Sequence, residues 1–319
     1  EKLCEGEQFN QVITLFDRMD YIANFNNEHI YCRAVEKLMG LEVSERSEYI
    51  RVILCELNRI ASHMLFIATM GLDAGAMTPS MFCFRGRERI QGLFESVSGA
   101  RMMHNYFRIG GLKEDVPDDF VQQVREVLEL VKKDTEESDK LLSFNEIFLA
   151  RLKKIAVMSA EDAIDYGLTG PCLRASGVDY DVRKAAPYSV YDRFDFDVPI
   201  GLDGDCWDRY YLRVQEVYQS IRIIEQALDQ LPEGDVASSL GRRLLRPPAG
   251  EVYLRAENPR GELGVYLVSD GTDRPYRVKV RPPSFCNLSA LKHMLKNAWI
   301  ADSVVILGAL DIVLGEVDR

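Results

Sequence analysis

Thiols and imidazoles are the side chains with which a chain of this size would hold a metal or run nucleophilic chemistry. The 319-residue sequence has seven cysteines, Cys4, Cys32, Cys55, Cys83, Cys172, Cys206 and Cys286. The number is odd and no two form a CxxC pair. A disulfide framework or a self-contained zinc or iron–sulfur site is therefore not expected, and the pattern fits a reducing compartment. The four histidines, His29, His63, His104 and His293, include no HxxxH pair, so no helical metal site is expected either. P-loop, GxGxxG, GxSxG and HExxH signatures are also missing. Any catalysis would use a site shared with another chain.

Composition narrows the class further. Lys and Arg total 39 against 50 for Asp and Glu, a formal charge of −11. Such acidity opposes binding to a phosphate backbone, and no nucleic-acid partner is expected. With 47% hydrophobic and 28% charged residues, the chain can bury a sizeable core. The longest apolar stretch, near 64–72, is too short to span a bilayer. The opening Glu1-Lys2-Leu3-Cys4 has no initiator Met and no signal-peptide pattern, which reads as a soluble, intracellular chain cut from a longer frame.

The elements that must position any site are mostly helical. Ile50, Ile53, Leu57, Ile60, Met64 and Ala68 recur at helical spacing, predicting a helix over about 46–70 that Gly71 ends. A second helix is expected to start at Thr78-Pro79, with Thr78 as cap, and to run to about Gly99. A third, highly charged, covers about 118–142, its charges a solvated face. Ser159-Ala-Glu-Asp162 is a capping-box-like start for a short helix ending at Gly167. Ordered loops are expected over 167–206, then a long amphipathic helix carrying Trp207, Tyr211, Val214, Tyr218, Ile221, Ile224 and Leu228. Residues 232–250, including the basic run GRRLLRPPAG, read as a linker. Strands are expected over 252–255, 263–268 and 276–280, the first two joined by the hairpin signal Asn258-Pro-Arg-Gly261. A last helix is expected over 288–297, then an apolar tail over 304–314. The expected class is mainly α (α+β): a helical core over 1–231, and a small antiparallel β region with a C-terminal tail over 251–319 packing back on it.

Several segments occur in an order that resembles one family over essentially the whole chain. They include Arg18-Met-Asp-Tyr21, Ala34-Val-Glu-Lys37, Glu56-Leu-Asn-Arg59 and Leu72-Asp-Ala-Gly-Ala-Met-Thr-Pro79. Gly99-Ala-Arg-Met102, Tyr106-Phe-Arg-Ile-Gly-Gly111, Leu173-Arg-Ala-Ser-Gly177, Arg260-Gly-Glu-Leu-Gly264 and Gly315-Glu-Val-Asp-Arg319 follow. Together they resemble the 49 kDa subunit family of NADH–quinone oxidoreductase, respiratory complex I. That family is related to the large subunit of nickel–iron hydrogenases, which implies a hydrogenase large-subunit-like fold. Hydrogenases hold their metals with paired CxxC motifs near both ends. The stretch 311–319 here has no Cys, so no metal is expected on this chain.

The resemblance implies a quinone pocket shared with a neighbouring subunit that carries the terminal 4Fe–4S cluster. Quinone is then the substrate, while NAD and the iron–sulfur clusters sit on partner subunits of the hydrophilic arm. Membrane-arm subunits complete the proton-translocating complex. The place implied is the cytoplasmic face of the bacterial cell membrane, bound peripherally, with no activity for the isolated chain. Tyr21 matches the tyrosine that hydrogen-bonds a quinone carbonyl, a role a neutral phenol suits. Asp73 matches a carboxylate that interacts with a loop His, which in family members lies upstream of Glu1. Together Tyr21 and Asp73 are the catalytic candidates. Val313 matches a pocket-lining position, and Asp318-Arg319 a buried terminal ion pair. Arg18 and His104 are assigned near the partner's cluster. The family places a cluster-facing His two residues after the Arg of Gly-Ala-Arg-Met; here that position is Met103 and His104 follows it.

Each residue also has a plainer reading. Tyr21 would be a core tyrosine at a helix start, Asp73 a helix-terminal turn residue and Val313 simple packing. Arg18 would pair on the surface with Asp17 or Asp20. His63 is expected to play a structural hydrogen-bonding role, and Arg174, Asp181 and Arg183 to fix the long loop by ion pairing. Two alternative functions compete: a nickel–iron-hydrogenase-like large subunit, and a non-catalytic scaffold of a membrane-associated redox complex.

Overall fold

The computed structural model describes residues 1–236 and 244–319. Its axis is a 29-residue helix, α3 (Glu45–Asp73), which follows α1 (Phe9–Phe16) and α2 (Asn24–Met39). The Ser44 hydroxyl starts α3 by accepting the Ser47 N–H at 3.3 Å, covering one of the unpaired amides of the first turn. Most α3 side chains are buried, because α2, α4 (Thr78–Ser98), the C-terminal α13 (Ser303–Leu310) and the long α10 (Cys206–Asp229) pack around it. By length and composition α3 is apolar enough to cross a membrane, yet 89% of its apolar window lies inside the protein.

The helix expected over 46–70 thus runs three residues further. Gly71 does not stop it; Gly75 does, adopting φ 89° while its N–H reaches the Leu72 carbonyl at 2.9 Å. Gly71 instead leaves room for Leu142, whose methyl would lie 3.2 Å from a Cβ there. Thr78 is the first helical residue of α4 rather than its cap; Met77 takes that place without a capping side chain. A two-stranded ribbon, β1 (Phe107–Arg108) and β2 (Gly111–Leu112), precedes α5 (Phe120–Leu142). One face of α5 is solvated as expected. Its other face buries Asp134, which Arg85 of α4 pairs at 3.2 Å through Nε.

After α6 (Glu146–Leu152) and α7 (Ala160–Asp165), where the Ser159 hydroxyl caps the Asp162 N–H at 3.1 Å, comes the ordered loop region. It is built on two single-turn helices, α8 (Pro171–Ala175) and α9 (Val182–Ala185), and held by buried charge. Arg174 donates to Glu216 of α10 at 2.6 Å and to Glu257 at 2.9 Å. Arg183 grips Asp181 at 2.7 Å and Glu56 of α3 at 3.2 Å, and Tyr191 and Ser220 each donate to Glu56 at 2.7 Å. The ion pairing expected of Arg174, Asp181 and Arg183 is present, and His63 accompanies it, Nε2 lying 2.8 Å from Glu216. Burial holds the imidazole below its ordinary pKa, so it stays neutral there.

Of the expected linker, residues 237–243 lie outside the described residues, and that part of GRRLLRPPAG with them. Residues 232–236 and 244–249 on either side carry no helix or strand, and Gly250 already opens the next strand. A three-stranded antiparallel sheet follows, β3 (Gly250–Asn258), β4 (Gly261–Ser269) and β5 (Arg277–Arg281), in that spatial order. The β3–β4 register pairs Asn258 with Gly261, so Pro259 and Arg260 form the hairpin tip. The tip touches the ordered loop backbone to backbone. A Cβ on Gly261, at φ 133°, would sit 2.7 Å from the Gly170 nitrogen, which only glycine tolerates. The helix expected over 288–297 is instead two short ones, α11 (Pro283–Leu288) and α12 (Leu291–Met294), joined by a turn at Ser289-Ala290 in which the Ser289 N–H reaches the Cys286 carbonyl at 3.2 Å, and Asn297 adopts φ 63°. Then come α13 and α14 (Leu314–Asp318). The expected class, mainly α with a late antiparallel sheet, holds.

Arg174 is fully buried, so removing it leaves Glu216 and Glu257 uncompensated in the core. Arg174→Met is expected to lower the unfolding free energy by about 3–5 kcal/mol. A urea-derived stability within about 1 kcal/mol of the wild-type value would contradict this role.

Candidate functional site

The turn between α1 and α2, residues 17–23, brings the first candidates to the surface. Asp20 is fully buried, yet its neighbour Tyr21 is 38% exposed, and the Tyr21 hydroxyl makes no hydrogen bond among the described residues. The turn is held by Arg260 from the hairpin tip. Its Nη1 donates to Asp20 Oδ2 at 2.8 Å and to Ser62 Oγ of α3 at 3.0 Å. Its Nε donates to the Asp311 carbonyl at 3.1 Å. One guanidinium therefore ties the tyrosine turn, the central helix and the start of the C-terminal tail, in the planar geometry suited to arginine.

The tail completes the edge. Val313 is buried, its N–H donating to Ser284 Oγ at 3.1 Å. Two residues on, Gly315 of α14 meets the turn so closely that a Cβ there would lie 2.4 Å from the Met19 carbonyl and 3.2 Å from Tyr21 Cδ1. Arg18 is exposed on the same turn, and its guanidinium donates to the Thr14 carbonyl. It pairs with neither expected acid: Asp17 accepts the Asn105 N–H, and Asp20 belongs to Arg260. A cavity of about 260 Å³, lined by Leu15, Phe16, Arg18, Met19, Val280 and Gly315, opens beside the turn.

Asp73 ends α3 in an exposed position against α13, its Oδ2 3.1 Å from where a Cβ on Gly308 would be. Partial burial raises its carboxyl pKa. The segment from Gly308 to Gly315 thus runs from Asp73 to Tyr21. His104 is placed differently. It is buried, stacked on Phe25 of α2 with ring centroids 4.1 Å apart, and Nδ1 lies 3.1 Å from the Ala100 carbonyl. Burial pushes its pKa down to about 4, so it is a neutral core imidazole at pH 7. Arg101 points out to Glu88 and Glu95. The structure therefore sets Arg18 and Tyr21 on one turn, places Val313 two residues before the Gly315 that meets this turn, sets Asp73 at the other end of the same segment, and buries His104.

Asp318-Arg319 is not a buried ion pair. Asp318 is exposed, and Arg319 lies 3.4 Å from Glu1 and 4.2 Å from the Phe285 ring. The buried acid of the tail is Glu316, which the motif reading passed over. Its Oε1 accepts the Ser284 N–H at 2.8 Å while Oε2 has no hydrogen-bond partner among the described residues. Burial, reinforced by Asp20 and opposed by Arg260, pushes its pKa up to about 8. Arg260 was likewise visible only as a motif letter. The hairpin signal Asn258-Pro-Arg-Gly261 put Arg260 at a tip but carried no sign of its buried partners.

A long buried helix with a surface turn pinned to it by a hairpin arginine defines a helical subunit whose candidate site lies at an open edge. The chain belongs to the family of the respiratory-chain NADH dehydrogenase 49 Kd subunit, whose sequence profile matches residues 73–245 and 240–319. It is similar to the corresponding NADH-quinone oxidoreductase subunit of Desulforamulus reducens, 50% identical over 318 residues that cover 100% of this chain and 87% of that protein. The subunit of the same name from Dehalococcoides mccartyi is 50% identical over 320 residues, with the same coverage of both chains. That from Carboxydothermus hydrogenoformans is 49% identical over 318 residues, again covering 100% of this chain and 87% of its own.

The raised pKa of Glu316 fixes a sign for pH dependence. A carboxyl raised from 4.5 to about 8 contributes stability that is fully present below pH 4.5 and is lost as pH rises through about 8. Glu316→Gln is expected to flatten part of that decline in thermal unfolding measured across the interval. Unfolding curves with the same pH slope in both proteins would contradict it.

Proposed function

We propose that this chain supplies the quinone-facing half of the quinone-reduction site in a proton-translocating NADH:quinone oxidoreductase. The other half comes from a neighbouring subunit carrying the terminal 4Fe–4S cluster. The observation that carries the reading is the Tyr21 hydroxyl, unpartnered among the described residues on a turn that Arg260, Asp20 and Gly315 hold rigidly. A partly exposed phenol on a fixed turn is a preorganised donor that loses little entropy when it binds a carbonyl oxygen. The full-length similarity to proteins named for quinone oxidoreduction supports the same reading.

Each residue then has a physical task. Tyr21 donates a hydrogen bond to one quinone oxygen and stabilises the negative charge that accumulates there as electrons arrive. Reduction to quinol also takes up two protons per quinone. Asp73, with its carboxyl pKa raised by burial, is placed to exchange protons at the far end of the 308–315 segment. Val313 shapes the apolar wall and Arg18 sets a positive charge at the rim, where a reduced, more negative cluster on the partner is stabilised. His104, stacked in the core, positions its loop and does not exchange protons near neutral pH.

Exposed apolar side chains lie close to these residues. Leu72 adjoins Asp73, Val304 and Leu307 sit on α13, and Leu314 adjoins Val313. Such surface is what a subunit interface covers, and it fits iron–sulfur and membrane-arm subunits as neighbours, with the chain bound peripherally at the cytoplasmic face.

Tyr21→Phe in the assembled complex is expected to lower kcat/KM for quinone about tenfold or more, about 1.4 kcal/mol of lost transition-state binding. Electron transfer from NADH to an artificial acceptor upstream of the quinone should be unchanged. Unaltered quinone reduction would remove the central residue of this mechanism.

A further inference from the structure

Two buried acids, one at the start of the Tyr21 turn and one in α2, join that turn to the loop of His104. Asp17, at the end of α1, is 1% exposed, and Glu28, in the second turn of α2, is 0% exposed. Three consecutive amides of one loop bind them. The Asn105 N–H donates to Asp17 Oδ2 at 3.1 Å, while the Tyr106 and Phe107 N–H groups donate to Glu28 Oε2 at 2.9 and 2.7 Å. Adjacent amides of one loop thus bring the two carboxyls side by side, close enough for each to act on the other. Their remaining oxygens, Asp17 Oδ1 and Glu28 Oε1, are buried and receive no hydrogen from any described donor.

The surrounding charges do not neutralise the pair. Arg18 and Arg108 face Asp17, but neither forms a salt bridge with it, and the Arg108 guanidinium is taken by the Asn105 and Phe107 carbonyls at 2.6 and 2.9 Å. On the Glu28 side lie the thiols of Cys32 and Cys55, which burial keeps protonated. Two adjacent carboxylates in a dry interior are strongly disfavoured from both being ionised. One O–H between them satisfies both orphaned oxygens at once. The directions agree: burial lifts Glu28 well above the carboxyl range and Asp17 to about 6.

We propose that Asp17 and Glu28 share a single proton, carried by Glu28 and donated to Asp17 Oδ1, and that this pair acts as a protonation-dependent clasp positioning the 99–107 loop against the Tyr21 turn. The positioning role rests on the reading of that turn as the quinone-facing edge; the shared proton does not. The proton comes from water and returns to it, with no electron transferred. The loop has reason to need a clasp: Met103 and Asn105, flanking His104, are held at φ 57° and 43°, a left-handed backbone that side chains other than glycine rarely adopt. On the other side, the Asp17 carbonyl accepts from Asn24 Nδ2 at 2.7 Å, fixing the start of α2. Loss of the proton would set two negative charges against each other at the joint between these segments.

The test is infrared difference spectroscopy of the assembled complex, together with the pH profile of quinone reduction. Wild type minus Glu28→Gln should show a deuterium-sensitive carboxylic-acid C=O band at neutral pH, lost in the variant. Asp17→Asn should lose it too, because its amide can donate to an ionised Glu28. Glu28→Gln keeps an N–H donor towards Asp17 at every pH, so the alkaline fall in activity should move to higher pH. An absent band overturns the shared proton whatever Tyr21→Phe does to quinone reduction. A band with an unmoved alkaline limb overturns the positioning role. Should the single variants fail to assemble, Asp17→Asn/Glu28→Gln, an amide pair that keeps a neutral hydrogen bond, should assemble; its failure would overturn the proposal.

Discussion

The guanidinium of Arg260 is the constraint on which the candidate site depends. It stands at the tip of a two-residue hairpin, fully desolvated, and reaches Asp20, Ser62 and Asp311 from one plane. Those acceptors belong to the turn of Tyr21, the central helix and the segment leading to Val313. A buried charge of this kind is weak as a source of stability, because desolvation offsets most of the attraction. Its value is geometric: moving the turn or the tail would strand a charge, and moving the helix would leave a buried hydroxyl contact unmade, so the three hold a common position. Gly261 and Gly315 allow the approach by presenting bare backbone at the two crowded contacts. In the proposed function, this is how an otherwise ordinary tyrosine becomes a fixed donor at an open edge.

The same logic recurs deeper in the fold. Glu36 accepts both nitrogens of Arg51 at 2.7 and 3.1 Å and the Gly110 N–H at 2.7 Å, joining α2, α3 and the small ribbon. Glu56 gathers Arg59, Arg183, Tyr191 and Ser220. Each acid is a junction between elements distant in sequence. The core is thus a set of polar junctions embedded in apolar packing, and apolar packing alone would fix their relative angles less uniquely.

Helices whose apolar residues follow one period were legible in the sequence: α3, α4, α5 and α10 fall where their spacing placed them, as do the three strands. The helix α2 was not legible. Asn24, Asn26, Asn27, Glu28, His29 and Glu36 are all buried in it, so its polar residues mask the period that marks an amphipathic helix. Several of them are met by partners far along the chain, such as the Cys55 carbonyl for Asn26 at 3.2 Å and Asn258 for Asn27 at 3.0 Å. Spacing carries no trace of such bonds. The site was half legible: the ordered motifs named Tyr21, Arg18, Asp73 and Val313, but not that a hairpin arginine holds the first. For His104 the motif gave a position but not its surroundings, since its burial against Phe25 follows from packing that no motif encodes.

The central claim is that quinone meets this chain at the edge formed by the Tyr21 turn and the 308–315 segment. A photoreactive quinone analogue, irradiated in the assembled complex and mapped by peptide mass spectrometry, tests it directly. Labelling is expected in peptides containing Arg18 to Tyr21 or Val313 to Gly315, suppressed by excess unlabelled quinone. Competable labelling confined elsewhere on the chain would contradict it; the cleft of about 480 Å³ around Lys154, His293 and Trp299 is one such place.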